Sequence, residues 1–375
     1  MKIPRYPEQL DAFLEPEKVL VIYGPRQVGK TTLLNDFLSK TPLTYRLDNG
    51  ENVLIQEILS SHNFSKIQEY AQSVELIAID EAQKIPQIGL ALKILVDNVP
   101  NIKVIATGSS SFELAGQVGE PLTGRKRTLT LFPVAQRELL KLHTPFELQQ
   151  RLENSLIFGG YPEVLTTENA EKKKQILTEI VSSYLLKDIL ELERVKSSKI
   201  LLDLLRLIAF QVGSEVSHSE LAQQLGIDYK TVARYLDLCE KAFILYNLRG
   251  FSRNLRKEIT KKSRYYFLDT GVRNAIIANF NPLHLRDDVG KLWENFCVVE
   301  RLKHQAYEPI YSNNYFWRTW DQREIDWVEE REGKLFGYEF KWEARNVRTP
   351  KEWSTTYPES EFMTIHKENY LSFVS

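Results

Sequence analysis

Cysteine is scarce: 375 residues contain two, Cys239 and Cys297. They lack metal-ligand spacing and argue against a disulfide framework, which fits a reducing compartment. Long apolar runs are missing too, and nothing approaches the roughly 20 residues of a membrane span. The opening residues, MKIPRYPEQLDAFLEPE, hold no apolar core of signal-peptide length. The cytoplasm is therefore the expected location, and no membrane is expected as a partner. A charge excess of either sign is also absent: Lys and Arg total 49, Asp and Glu 50, a net −1 at pH 7. No global field draws the chain to nucleic acid, so any such contact must come from a local patch. No internal repeat or low-complexity linker is visible, and the length calls for two or three closely packed domains.

What is present begins with KVLVIY at residues 18–23, a continuous apolar run suited to a strand covered on both faces. GPRQVGKTT follows at 24–32 and fits the G-x-x-x-x-G-K-[ST] pattern, after which LLNDFL starts with helical spacing. Gly24 and Gly29 let the backbone turn its N–H groups inward at phosphate oxygens, with Pro25, Arg26, Gln27 and Val28 between them. The helix N-terminus adds partial positive charge. Lys30 can reach the β- and γ-phosphates of ATP, the Thr31 hydroxyl can hold Mg2+, and Thr32 continues the cradle.

A second run, VELIAID at 74–80, ends in Asp80 and is followed by Glu81. A carboxylate at the carboxyl end of a buried strand lies where open α/β sheets bind ligands. Asp80 is expected to complete the Mg2+ shell and Glu81 to orient or activate the attacking water. A third run, KVIAT at 103–107, leads into GSSS. Thr107, Ser109 and Ser110 are candidates for the γ-phosphate or the water, with a plain polar turn as the alternative. Arg125, in LTGRKRTLTL, is the expected arginine finger and Arg127 its competitor. The alternative for each is an ordinary surface arginine.

These phrases carry a resemblance. GPRQVGKTTLL, LIAIDEAQKIP, VIATGSSS, LTGR and LFPVAQREL, then FGGYPEVL, SYLLKDIL and YYFLDTGVRNAI, resemble the AAA-type ATPases with a C-terminal DUF4143 domain. The likeness covers nearly the whole chain. It implies an AAA-like sheet with Thr31 and Asp80 on magnesium, Glu81 as catalytic acid and Arg125 as finger or sensor.

FGGYPEVL at 158–165 is a glycine and proline break after the nucleotide domain. The amphipathic stretch at 172–193 carries Ile176, Ile180, Tyr184, Ile189 and Leu192 and reads as a lid, a connecting helix or plain packing. Ser217 or Ser219 can cap a helix holding Leu221, Ala222 and Leu225, and Gly226 terminates it. A second helix runs from about Asp228 to Lys241 with Val232, Tyr235 and Leu236 inward, a helix-turn-helix pattern. FILYNL, the basic tip RNLRKEITKKSR and RYYFL complete a winged-helix order. Tyr229, Lys230, Thr231 and Arg234 lie on the exposed side of the second helix. The wing adds Arg253, Arg256, Lys257, Lys261, Lys262 and Arg264, opposed only by Glu258. This excess can contact the phosphates of nucleic acid, DNA before RNA. A solvated hairpin or a protein contact is the alternative.

The last segment reads αβββαβ: the helix GKLWENFCVVERLKHQ, strands YFWRTW, REIDWVEE and KLFGYEFKW, the helix ARNVRTPKEWSTTY and the strand EFMTIH. Residues two apart on a strand share a face, so Glu339 and Lys341 point the same way. Asp326 lies on the neighbouring strand, and Glu294 approaches from the helix. Two or three carboxylates with a lysine make a Mg2+ site with a positioned ammonium. The pattern resembles the PD-(D/E)XK nuclease fold over residues 291–375, with Ile325 where that family has proline. By position, the resemblance puts Asp326 and Glu339 on metal, Lys341 on the nucleophile and Glu294 as accessory acid. Alternating charges on an edge strand are the alternative.

The expected fold is α/β: a P-loop AAA-like parallel-sheet domain (1–157), a helical and winged-helix domain (158–288) and a small αβ PD-(D/E)XK-like domain (289–375). The expected function is ATP hydrolysis with Mg2+, coupled to action on nucleic acid. An ATP-gated switch with an inactive nuclease-like module, or an assembly factor acting on protein partners, stays open, as does a homo-oligomer.

Overall fold

The computed structural model describes residues 3–7, 10–108, 122–185, 198–251, 263–319, 321–345 and 347–375, the side chains of 183–185 excepted. The chain divides into two compact units. One is Arg5–Phe132 with Lys241–Phe243, and the other is Met1–Pro4, Pro133–Glu240 and Ile244–Ser375.

In the first unit the apolar runs become strands because both faces are covered. Strands β1 (Val19–Tyr23) and β3 (Leu76–Asp80) are buried at every residue, and β4 (Lys103–Gly108) at all but its first. With β2 (Tyr45–Asn49) and β5 (Lys126–Thr130) they form a sheet ordered β2-β3-β4-β1-β5, parallel throughout. The helices Val53–Ser60, Phe64–Tyr70 and Ile88–Asn98 turn Ile55, Leu59, Ile67, Leu92 and Leu95 onto Val19, Val21, Ile77, Ile79 and Val104. Each such side chain stabilises the unit by about 1.5–3 kcal/mol when fully buried. Parallel order gathers the carboxyl ends of β1, β3 and β4 at one rim, where the loops that follow them meet.

In the second unit, the break at FGGYPEVL forms as expected. Gly159, at φ 71°, ends the helix Pro145–Phe158, and Pro162 opens the short helix Pro162–Thr166. A Cβ on Gly159 would meet Asp269 Oδ1 at 2.1 Å, so only glycine fits against this buried carboxylate. The amphipathic stretch gives the helix Ala170–Glu179 and a wider turn, Ile180–Leu185, with Ile176 and Ile180 buried. The readings of the Tyr184 side chain, Ile189 and Leu192 lie outside the described residues. The two-helix pattern is present: Ser217 caps His218–Leu225, Gly226 ends it at φ 64°, and Tyr229–Lys241 follows with Val232, Tyr235 and Leu236 buried.

Seven strands make the second sheet: β6 (Glu215–Val216), β7 (Leu245–Gly250), β8 (Ser263–Phe267), β9 (Asn313–Arg318), β10 (Glu324–Arg331), β11 (Lys334–Phe340) and β12 (Glu361–Ile365). Their order is β12-β11-β10-β9-β7-β8-β6. The αβββαβ order of the last segment is present, from the helix Val289–Tyr307 through the helix Lys351–Thr356 to β12. The expected boundary at 288/289, however, runs through one sheet. Strand β7 pairs in parallel with β9, Arg249 opposite Tyr315 and Gly250 opposite Phe316, and Phe251 N–H donates to Phe316 O at 2.7 Å. Without β7, strand β9 would present unpaired backbone groups as an open edge. Phe251 seals the join by packing with Trp317 and Trp353. No helix among the described residues is long and apolar enough to cross a membrane.

Candidate functional site

The loop from Gly24 to Gly29 joins β1 to the helix Lys30–Leu38. A Cβ on Gly24 would meet Leu131 O at 2.1 Å, and Gly29 stands at φ 95°, so the pattern's two glycines answer a close approach and a left-handed turn. Lys30 is buried, and its Nζ donates to Gly24 O at 2.9 Å and Pro25 O at 2.8 Å. Thr31 Oγ1 donates to Asp80 Oδ2 at 2.8 Å, so the two groups expected on magnesium already meet. A hydroxyl and a carboxylate are the oxygen donors that a hard divalent cation takes, and they fit Mg2+. The site's Arg26, Gln27, Val28 and Thr32 lie on the same loop and helix start.

Thr107, buried on β4, donates to Asp80 Oδ1 and accepts the Glu81 N–H at 3.2 Å. The structure thus sets Thr107 on the carboxylate pair. Glu81 adopts φ 52°, a left-handed conformation that costs an ordinary residue about 1–2 kcal/mol. Gln83 Nε2 holds its Oε2 at 2.6 Å. The strained backbone is thus held at its N–H by Thr107 and at its carboxylate by Gln83.

One residue of this site escaped sequence reasoning. Arg5 is 9% exposed and donates to Val28 O and, at 2.6 Å, to Phe132 O. It ties the phosphate loop to the chain leaving β5, and no motif or periodicity marks a lone arginine near an N-terminus. Ser109 lies outside the described residues. Arg125 does not join the site of its own chain. Its carbonyl accepts the Val19 N–H at 2.9 Å, which puts it at the amino end of β1. The loop is at the other end, about 15 Å away by strand rise. Arg125 Nε pairs there with Asp97 at 2.5 Å, and Arg127 with Glu15 at 2.5 Å.

The second unit holds the other expected cluster. Strands β10 and β11 pair with Trp327 opposite Tyr338, which sets Asp326 across from Glu339. Asp326 Oδ2 accepts the Phe340 N–H at 2.9 Å, and Lys341 Nζ donates to Glu339 Oε1 at 2.8 Å. Glu339 Oε2 is buried without a hydrogen-bond partner among the described residues. Tyr266 OH donates to Glu294 Oε1 at 2.7 Å. Burial first, and then the neighbouring carboxylates, push Glu294 from its ordinary 4.5 up to about 7, against the pull of Arg264. The same causes lift Asp326 well above the usual carboxylate range. Burial is the largest single influence on the Lys341 ammonium and works against it, but the hydrogen bond to Glu339 and the charges of Glu339, Asp326 and Glu294 together raise its pKa.

Arg264 corrects the reading of this region. Counted with the wing, it is instead 3% exposed and lies over the Phe316 ring, 4.3 Å from its centroid. Its Nη2 donates to Glu324 Oε2 at 2.7 Å, while Nη1 stands 3.8 Å from Glu294 Oε1 and 3.9 Å from Asp326 Oδ1. Among the described residues, no group of three His, Cys, Asp or Glu side chains is placed to hold a metal ion. In this arrangement the expected metal ligands Glu294, Asp326 and Glu339 are not gathered as a metal site; the Arg264 guanidinium faces Glu294 and Asp326, and Lys341 holds Glu339. The alternation of RYYFL, which turns Arg264 and Tyr266 to one face, was the signal for it.

Lys230 and Arg234 are exposed on the helix Tyr229–Lys241, beside Tyr229. Thr231 is engaged locally, its N–H and Oγ1 donating to Asp228 at 2.9 Å and 2.6 Å. The wing residues Arg256, Lys257, Lys261 and Lys262 lie outside the described residues.

Comparison with known proteins adds three matches along the chain: an AAA domain at residues 16–140, a domain of unknown function, DUF8612, at 149–283, and DUF4143 at 289–366. An uncharacterised protein of Mycobacterium tuberculosis is 27% identical over 329 residues, which covers 86% of this chain and 70% of that one. One from Haemophilus influenzae is 25% identical over 355 residues, 88% of this chain and 84% of that one. Among solved structures, a RuvB variant of Thermotoga maritima overlaps with a TM-score of 0.32 at 17% identity, over 65% of this chain and 93% of that one. The chain thus carries an AAA-domain match in its first part and a DUF4143 match in its last, the pairing that its motifs resemble.

Proposed function

We propose that this chain binds ATP with Mg2+ and hydrolyses it. The observation that carries this reading is the joined set at the rim of the parallel sheet: Lys30 in the loop, Thr31 on Asp80, and Thr107 holding Asp80 and the Glu81 backbone. The loop N–H groups and the helix N-terminus receive the phosphates. Lys30 exchanges loop carbonyls for phosphate oxygens. Thr31 and Asp80 hold Mg2+, which when bound neutralises charge on the phosphates. Glu81 orients the attacking water. Arg125 serves as a finger only across subunits, which calls for a homo-oligomer. Hydrolysis by Glu81→Gln tests the reading: nucleotide binding should persist while turnover falls by about a hundredfold or more. Wild-type turnover in that variant would sink the assignment of Glu81.

A second reading, ATP-gated binding of DNA, is favoured by Lys230 and Arg234 on the exposed face of the second helix. The antiparallel pair β7 and β8 follows that helix in winged-helix order. The last segment keeps the order of elements of a PD-(D/E)XK nuclease, and Arg264 argues for recognition over cutting. Salt titration of DNA binding separates this from a protein-partner role, because phosphate neutralisation weakens steeply with salt.

A further inference from the structure

The acidic cluster beside β10 and β11 brings its own cation. Glu294, Glu324 and Asp326 face Arg264, and Glu339 lies across from Asp326. A divalent ion bound to Glu294 Oε1 and Asp326 Oδ1 would lie within about 2.0–2.6 Å of each. The Arg264 guanidinium stands within 4 Å of those same two atoms, at 3.8 and 3.9 Å. Two cations at such range repel. The guanidinium is also fixed in place: Phe316 lies under it, Glu324 accepts from it, and burial removes competing water. A separate observation shows acceptor capacity left over, since Glu339 Oε2 is buried and unpartnered among the described residues. Taking one ion out of a buried charge group leaves the others uncompensated, so the cluster without Arg264 requires a replacement cation or a proton.

We propose that Arg264 takes the place of a divalent metal in this cluster. The wild-type cluster excludes Mg2+ and Mn2+, and removing the guanidinium opens a site held by Asp326 and Glu339 with help from Glu294. This rests on reading Asp326 and Glu339 as a metal-competent pair, and the test keeps the two claims apart.

Mn2+ is the probe, on the full chain without nucleotide, in a Lys30→Ala background that disables the phosphate loop. Two readouts serve: free Mn2+ by electron paramagnetic resonance, and the melting midpoint with and without Mn2+. The parent should bind no Mn2+ at the cluster and show no shift. Arg264→Gln should bind one Mn2+ at least about tenfold more tightly than the parent and melt higher in its presence. Adding Asp326→Asn should remove both gains. Arg264→Met keeps the packing on Phe316 without charge and should gain Mn2+ as well, which covers the case in which Arg264→Gln does not fold. Arg264→Lys should behave as the parent. If the parent binds Mn2+ as tightly as Arg264→Gln and Asp326→Asn abolishes it, the exclusion role is wrong and the metal pair stands. If the folded Arg264→Gln and Arg264→Met chains both ignore Mn2+, the metal pair is wrong and the proposal goes with it.

Discussion

The two acidic sites of this chain use the same parts in opposite ways. Each sets carboxylates on buried strands with a buried cation near by. At the phosphate loop, Lys30 donates to two backbone carbonyls, and the Asp80 oxygens accept from the hydroxyls of Thr31 and Thr107. In the cluster beside β10, Arg264 donates to a carboxylate and faces two more. A carbonyl is neutral, and a phosphate oxygen can replace it with gain. An ion pair in a buried cluster resists exchange, since separating it costs about 3–5 kcal/mol. The first arrangement waits for charge from outside. The second is neutralised from within.

That contrast breaks most visibly at Lys30. Lys30→Ala should lower kcat/KM for ATP by about a thousandfold, the scale for losing a donor aimed at developing charge. Steady-state hydrolysis measures it, and near-wild-type turnover would put the ATPase elsewhere. Thr107→Val keeps shape but removes the hydroxyl that holds Asp80 and Glu81. It should lower turnover about ten- to a hundredfold and raise the Mg2+ concentration required, as loss of an outer-shell partner does. Thr107→Ser should restore most of both, whereas a purely packing role would leave the Mg2+ requirement unmoved.

The second site should answer to pH. Glu294 is raised from 4.5 to about 7 by burial and its acidic neighbours. The folded state therefore holds a proton that the unfolded state has released between those values. Its contribution to stability is complete below pH 4.5 and is lost as pH rises through about 7. Denaturant unfolding should show a loss of about 3 kcal/mol as pH rises through that window, and Glu294→Gln should flatten it. The smallest expected effect lies at the exposed helix. Lys230→Ala with Arg234→Ala should weaken DNA binding a few-fold and reduce its salt slope by about two, one for each phosphate contact. An unchanged slope would assign that face to protein.

Much of the first site was legible because its chemistry is local. The glycines, Lys30 and Thr31 share one loop, and Asp80 and Glu81 end one apolar run. The place of Arg125 was not legible because it depends on strand order: β5 pairs with β1 in parallel, and a residue just before β5 must lie at the rim far from the loop of its own chain. Local pattern carries no strand order. Arg264 was hidden by a charge count that pooled it with the hairpin, although alternation in RYYFL already turned it inward. The join of β7 to β9 was illegible for a plainer reason. Edge pairing between strands distant in sequence is chosen by which open edges meet, and neither strand's residues announce it.

That join also bears on inheritance. The match boundary between residues 283 and 289 looks like a seam at which a gene could trade one ending for another. A transplanted ending that begins there would arrive with β9 bare along one side, a template for pairing with a second copy of itself. A recombinant exchange would survive only if β7 and β8, and with them Arg264, travelled along with the strands they complete. The strands that must travel together make up the whole sheet, which begins at β6 inside the first of those matches and closes at β12, at the very end of the second.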